Sequence, residues 1–279
     1  MTGEERLAAV VTALEGVGVS CLVMGGHAVR FYGFNRNTDD FDLHISTDVW
    51  SDLSERLGRS GLFPDGGPVE GDSWRKGAFR RFKLGRLPSG KDELLEFWCE
   101  NHLLAPREHL LARSVRGPYG GREIAFLGLA DLIRSKETER DKDWADVTIL
   151  ERSQDERNLA RLGRGETDRA TALAVLRSRA GFEAFVQGGL LDDPAAVRVA
   201  LSRTDVPMTQ AYLLPLVPDV ELRPAVAPIE PILIEHLRTT LPNSAKHHSI
   251  VEVVRRRYVE SRKAEDRRDK EAIRARAVI

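Results

Sequence analysis

The 279-residue chain is short of cysteine, aromatic side chains and net charge, and it holds no long apolar run. Its two cysteines, Cys21 and Cys99, sit in the apolar stretches SCLVM and EFWCE, without the close pairing that holds zinc. That excludes a disulfide framework and a cysteine metal centre, and predicts packed, reduced thiols. No stretch approaches the roughly 18 apolar residues of a membrane-spanning helix. The first ten residues lack the basic segment and apolar core of a secretory leader, so a cytoplasmic chain with no membrane partner is expected. Lys and Arg number 42 against 43 Asp and Glu, so a nucleic-acid partner would have to be met by a local basic patch. What is present in quantity is ordinary core material, 42% hydrophobic, enough for one or two globular domains.

Leu7, Val10, Val11 and Leu14 recur at helical spacing, which predicts an amphipathic helix over 3–17. A short strand over 20–24, a Gly25-Gly26 turn, a short helix HAVRFYG, a strand DFDLHI and a helix over 48–58 follow. AFRRFKLGRL and ELLEFWCE flank the turn PSGKD as a hairpin, and REHLLARSVRG with REIAFLG around PYGG reads as another. From Leu127 onward the pattern is helical, with prolines between 207 and 231 marking loops and a final helix over about 248–276. The expected class is therefore α/β with a mixed sheet and a helical C-terminal domain, divided as 1–152 and 153–279.

Asp40 and Asp42 are the residues that a buried strand does not explain. Two apart on a strand, they project to one face, while Phe41 and Leu43 face the other way. Two like charges that close are costly unless a cation lies between them, and hard oxygen donors suit Mg²⁺. Gly25 and Gly26, just upstream, permit close backbone approach to a phosphate. In ELLEFW, Glu96 is a lone charge on a face it shares with Leu94 and Trp98, so it needs a partner; Glu93 and Glu100 at the strand ends are weaker candidates.

Met24-Gly25-Gly26, residues 27–39 and then Asp40-Phe41-Asp42-Leu43 resemble the signature of the DNA polymerase β-like nucleotidyltransferase fold. The fuller string GGHAVRFYGFNRNTDDFDL is similar to a small bacterial branch that includes AbiEii-like toxin nucleotidyltransferases, with Arg36 and Thr38 on that branch's Arg and Thr. The resemblance covers about residues 20–150. It implies a nucleotidyltransferase domain over 1–152 that transfers NMP from an NTP such as ATP to an acceptor hydroxyl on RNA, protein or a small molecule. It implies Mg²⁺ or Mn²⁺ held by Asp40, Asp42 and Glu96, with Glu96 binding a second cation or taking the acceptor's proton. For toxin-like members it implies an antitoxin partner in a toxin-antitoxin pair.

Within LADLIRSKETERDKDWADV, Lys136, Arg140 and Asp143 are spaced to share a helical face. The resemblance places Lys136 on NTP phosphate and has Asp143 orient it or a nearby base. Bland readings stand beside these. Arg36 and Thr38 serve equally well as a loop pair around Asp39. His27 reads as a helix-start residue rather than a catalyst, and His247 and His248 have no partner at ligand spacing. Arg255, Arg256, Arg257 and Arg262 make the one dense basic run, either a solvated helix face or an RNA-steering patch. A different class remains open as well: a catalytically silent module that binds a nucleotide or a partner in the same cleft.

Overall fold

The structure, a computed structural model, describes residues 2–64, 67–75, 77–87, 89–222 and 229–276. By its contacts the chain divides into two units, Met1–Lys136 with Arg267–Ile279, and Glu137–Asp266. Residue 152, the expected boundary, lies within a helix of the second unit.

The first unit opens with α1 (Gly3–Gly16). The Thr2 hydroxyl accepts from the Glu5 N–H and the Glu5 carboxylate accepts from the Thr2 N–H, which satisfies two donors that a helix start leaves open. Leu7, Val10, Val11 and Leu14 are all buried, so the spacing seen in the sequence is the packing face. Each such side chain contributes about 1.5–3 kcal/mol when removed from water. β1 (Cys21–Val23), α2 (Gly25–Phe31) and β2 (Asp40–Ile45) follow in the expected order.

In place of one helix over 48–58, a 3₁₀ turn at Thr47–Val49 precedes α3 (Leu53–Arg59). Ser46 ends the strand by accepting from the Asp48 N–H, and α3 restarts beyond Asp52, whose carboxylate takes Arg56 at 2.9 Å. β3 (Phe79–Arg86) and β4 (Asp92–Trp98) form the expected hairpin; Pro88 of its turn lies outside the described residues. REHLLAR, read as part of a second hairpin, is helix α4 (Arg107–Arg113). Its Glu, Leu, Ala and Arg are strong helix formers, and Leu110 supplies the buried contact. Pairing starts only at β5 (Val115–Tyr119) with β6 (Arg122–Phe126), and α5 (Leu129–Ser135) follows.

Among the described residues these strands make one six-stranded sheet of order β3-β4-β2-β1-β6-β5. β2/β4 and β1/β6 are parallel and the other pairs antiparallel, so the sheet is mixed, as expected. Phe41 and Leu43 of β2 and Leu95 and Phe97 of β4 are buried on one face. Asp40, Asp42 and Glu96 alternate with them and are half-buried on the other.

The second unit is helical: α6 (Asp141–Gly163), α7 (Arg169–Ala174), α8 (Arg179–Gln187), α9 (Pro194–Arg203), α10 (Pro207–Leu213), α11 (Pro231–Arg238) and most of α12 (Ala245–Arg276). Trp144, Val147, Leu150, Phe182, Phe185, Leu201, Met208 and Leu213 are buried there. Pro207 and Pro231, expected in loops, instead open α10 and α11, where a missing N–H leaves no hydrogen bond unmade. Residues 223–228 of the same proline-bearing stretch lie outside the described ones.

Candidate functional site

The Gly-Gly turn and the aspartate strand are pressed together. Gly25 has φ +62, a left-handed conformation that favours glycine, and a β-carbon there would lie 1.8 Å from Asp42 Oδ2. A β-carbon on Gly26 would lie 2.4 Å from Thr38 Oγ1. The Met24 N–H donates to the Asp42 carbonyl at 2.9 Å, which locks the turn to the strand. Two glycines are thus required for packing before any ligand is considered. Thr38 also donates to the Asp40 carbonyl at 3.3 Å, so it closes the loop that carries Arg36 into β2.

Glu96 lies opposite Asp42 in the parallel β2/β4 pair, and Arg81 lies opposite Glu96 in the β3/β4 hairpin. One row across three strands therefore reads Arg81, Glu96, Asp42, and the next reads Lys83, Leu94, Asp40. Arg81 Nε donates to Glu96 Oε1 at 2.7 Å and its terminal nitrogen approaches the same oxygen at 2.6 Å. Asp42 is within hydrogen-bonding reach of Glu96. Burial and then the Asp42 charge push the Glu96 carboxyl up to about 8, against the opposing pull of Arg81. Beyond this row Phe79, Trp98 and Trp74 form an aromatic wall, with Phe79 and Trp98 ring centres 4.6 Å apart.

The other sequence candidates have structural duties. Glu93 is buried and ion-paired to Arg6, while Glu100 is exposed beside Arg75. His27 is 1% exposed, stacks on Phe41 at 5.2 Å and has Nδ1 3.0 Å from the Tyr119 hydroxyl. Burial and then the Arg30 charge bring its pKa down to about 4, so it is a neutral wall residue at pH 7.

Lys136, Arg140 and Asp143 do not share a helical face. α5 ends at Ser135, Lys136 is its C-cap and α6 begins at Asp141, so the helix is broken between them. The break is held by polar contacts: Thr138 Oγ1 donates to Asp143 Oδ2 at 2.6 Å, Arg140 Nε donates to it at 2.7 Å, and Trp144 Nε1 donates to the Thr138 carbonyl. Asp143 is fully buried in these contacts. The basic run is equally altered. Arg262 is fully buried against Glu137, Arg255 pairs with Glu151 at 2.6 Å and Arg257 pairs with Glu230, so the four arginines do not form one free patch.

Carboxylate oxygens suit Mg²⁺ or Mn²⁺ in kind, and Asp40, Asp42 and Glu96 lie on one face of the sheet. Among the described residues, however, no three His, Cys, Asp or Glu side chains stand where they could jointly hold a metal ion. Asp42 and Glu96 meet, Asp40 is one strand repeat away, and Arg81 is the cation on Glu96. The donors therefore fit such an ion in type and face, with the third one already engaged. Arg81 is the site residue that sequence reasoning missed.

A cavity of about 550 Å³ opens elsewhere in the first unit, past the carboxyl ends of β2 and β4, with His44, Arg75, Asn101 and Arg107 in its lining. Of the residues the sequence singles out, Glu100 lines it, whereas Asp40, Asp42 and Glu96 do not. Cys21 and Cys99 are free and buried, and among the described residues no helix is long and apolar enough to cross a membrane.

No family model matches the chain, and no curated protein matches it. Among solved structures, an antigenic nucleotidyltransferase-like protein from Paracoccidioides brasiliensis is 18% identical, with 54% of this chain and 76% of that chain covered and a TM-score of 0.34. A superposition this loose assigns no activity.

Proposed function

We propose that the Asp40–Asp42–Glu96 face carries nucleotidyl transfer from an NTP to an acceptor hydroxyl. The observation behind this reading is the close seating of the Asp42 carboxylate on Gly25, with Glu96 as its cross-strand neighbour. That arrangement brings two carboxylates together at a turn whose backbone can approach a phosphate. Asp40 and Asp42 would hold Mg²⁺ or Mn²⁺, which when bound supplies charge neutralisation for the triphosphate. Gly25 and Gly26 would border the phosphates, and Glu96, which a bound cation would favour in its ionised form, would receive the proton of the attacking hydroxyl. The acceptor oxygen bonds to the α-phosphorus, the bond from that phosphorus to the bridging oxygen breaks, and pyrophosphate leaves with the electron pair. Positioning and electrostatics dominate such a step. The finer assignment to the AbiEii-like branch, with an antitoxin partner and RNA or protein acceptor, rests on the motif residues alone; Lys136 and Asp143 are not assigned to the nucleotide.

One observation favours a second reading, a silent nucleotide-binding module: Arg81 already neutralises Glu96, and no three-ligand cluster is formed. Calorimetric titration with each NTP and Mg²⁺, followed by assay of pyrophosphate release, separates the two. Catalysis predicts heat of binding and release of pyrophosphate that both disappear in Asp42→Asn. Binding without release in the presence of a cell extract supports the silent module.

A further inference from the structure

We propose that Arg81 is a positioning residue that acts as a latch: it holds Glu96 while the site is empty and competes with a divalent cation for that carboxylate. The proposal rests on the reading of Asp40, Asp42 and Glu96 given above.

Three features of the geometry point to it. First, β3 is an edge strand of the sheet, so Arg81 reaches Glu96 from the rim while Asp42 faces it from the interior side. Both guanidinium contacts fall on Oε1. Second, the two partners differ in accessibility: the Glu96 side chain is 12% exposed and that of Arg81 is 38% exposed. Glu96 is thereby fixed in place, whereas Arg81 can withdraw into water at the modest cost of a half-exposed ion pair. Its guanidinium also stands 5.4 Å from the Phe79 ring centre, which keeps it over the rim of the aromatic wall. Third, Lys83, the next β3 residue on that face, is committed to Asp92 at 2.6 Å, which leaves Arg81 as the cation bonded to Glu96 among the described contacts.

Removing the guanidinium leaves Asp42 and Glu96, in their ionised forms, facing each other with nothing to offset their repulsion, and a divalent cation then gains more by entering than it does against a bound arginine. The sign follows: loss of Arg81 tightens cation binding. A residue that merely built the ligand geometry would give the opposite sign.

The test measures Mn²⁺ affinity of the full chain by the electron paramagnetic resonance signal of free Mn²⁺, without nucleotide. Arg81→Met and Arg81→Gln should each bind about fivefold tighter than the native protein, the equivalent of one partly exposed ion pair. Arg81→Lys should stay close to native, and Arg81→Met should change nothing in a Glu96→Gln background. Cooperative thermal unfolding of each variant in chelator confirms the fold, and the two neutral variants guard against one failing to fold. Unchanged or weaker binding in the neutral variants overturns the latch, as does tightening that persists without Glu96. If the native protein binds Mn²⁺ in an Asp42-dependent way, that failure leaves the site reading intact. If no variant binds Mn²⁺, the site reading itself fails and the latch with it.

Discussion

Asp42 occupies the space that a β-carbon on Gly25 would fill, so these two residues constrain each other directly. Gly25→Ala is therefore expected to lose both cooperative folding and any nucleotide binding, because backbone strain at φ +62 adds to the collision. Gly26→Ala should be milder when combined with Thr38→Gly, which empties the side-chain space that a new methyl needs. Circular dichroism melts of the three variants check the order; a double variant as unstable as Gly25→Ala contradicts it. Asp42→Asn, by contrast, removes repulsion against Glu96 wherever both carboxyls are ionised, and above about pH 8 a rise of about 2 °C in the metal-free melting temperature is expected alongside lost activity. A fall in that temperature shows instead that Asp42 is held by attractive contacts. The aspartate pair was readable from alternation along DFDLHI. Arg81 was not, because a bulge between Lys83 and Gly85 shifts the hairpin register by one residue. Register counted inward from Arg86 opposite Asp92 puts Arg81 opposite Phe97 on the core face, whereas the bulge moves it opposite Glu96.

Helix α12 shows the same limit at the level of elements. Its arginine run reads as a surface in the sequence, yet Arg262 and Arg255 are claimed by Glu137 and Glu151, more than 100 residues away. Arg177 sits between those two glutamates, at 2.9 Å from Glu137 and 3.0 Å from Glu151, and the Tyr258 hydroxyl donates to Glu137 at 2.6 Å. Long-range pairing of this kind leaves no local periodicity, whereas the amphipathic α1 and the alternating β2 carry their burial in their spacing. A buried charge stripped of its partner is costly, so Arg177→Met is expected to destabilise the protein by about 3–5 kcal/mol. Arg256→Ala, at an exposed position of the same run, should stay within about 0.5 kcal/mol. Urea unfolding checks both; similar losses in the two variants refute the buried network as a structural element. REHLLAR and the break after Lys136 escape the sequence for a related reason: apolar residues run on from REHLLAR toward β5, residues 134–143 hold no apolar side chain to mark a face, and only polar contacts such as Thr138 to Asp143 reveal where one element stops.

Across the whole chain, opposing titrations set a stability optimum. Burial holds His27, His44 and His247 down to about 4, so between there and the ordinary 6.5 the unfolded chain binds protons that the native one lacks, and stability rises with pH. Glu96, raised to about 8, and Asp155, raised by burial to about 7, act oppositely: their contribution is present at low pH and is lost as pH climbs through those values. Glu93, raised by burial against the pull of Arg6, joins these carboxyls with a smaller shift, so the three histidines still prevail below 6.5 and only carboxyls remain above it. The metal-free protein should thus melt highest near pH 6.5 and lose stability toward pH 8, with Glu96→Gln flattening that decline. Melting temperatures that climb steadily through pH 8 in chelator contradict this balance. The central claim, that the Asp40–Asp42–Glu96 face transfers a nucleotidyl group, is tested most directly by labelling. The full chain is incubated with Mg²⁺, a cell extract and an NTP labelled on either the α- or the γ-phosphate. The account predicts that α-label, and not γ-label, becomes attached to an acceptor, and that Asp42→Asn abolishes the attachment. Incorporation of γ-label, or equal incorporation of α-label by Asp42→Asn, would contradict it.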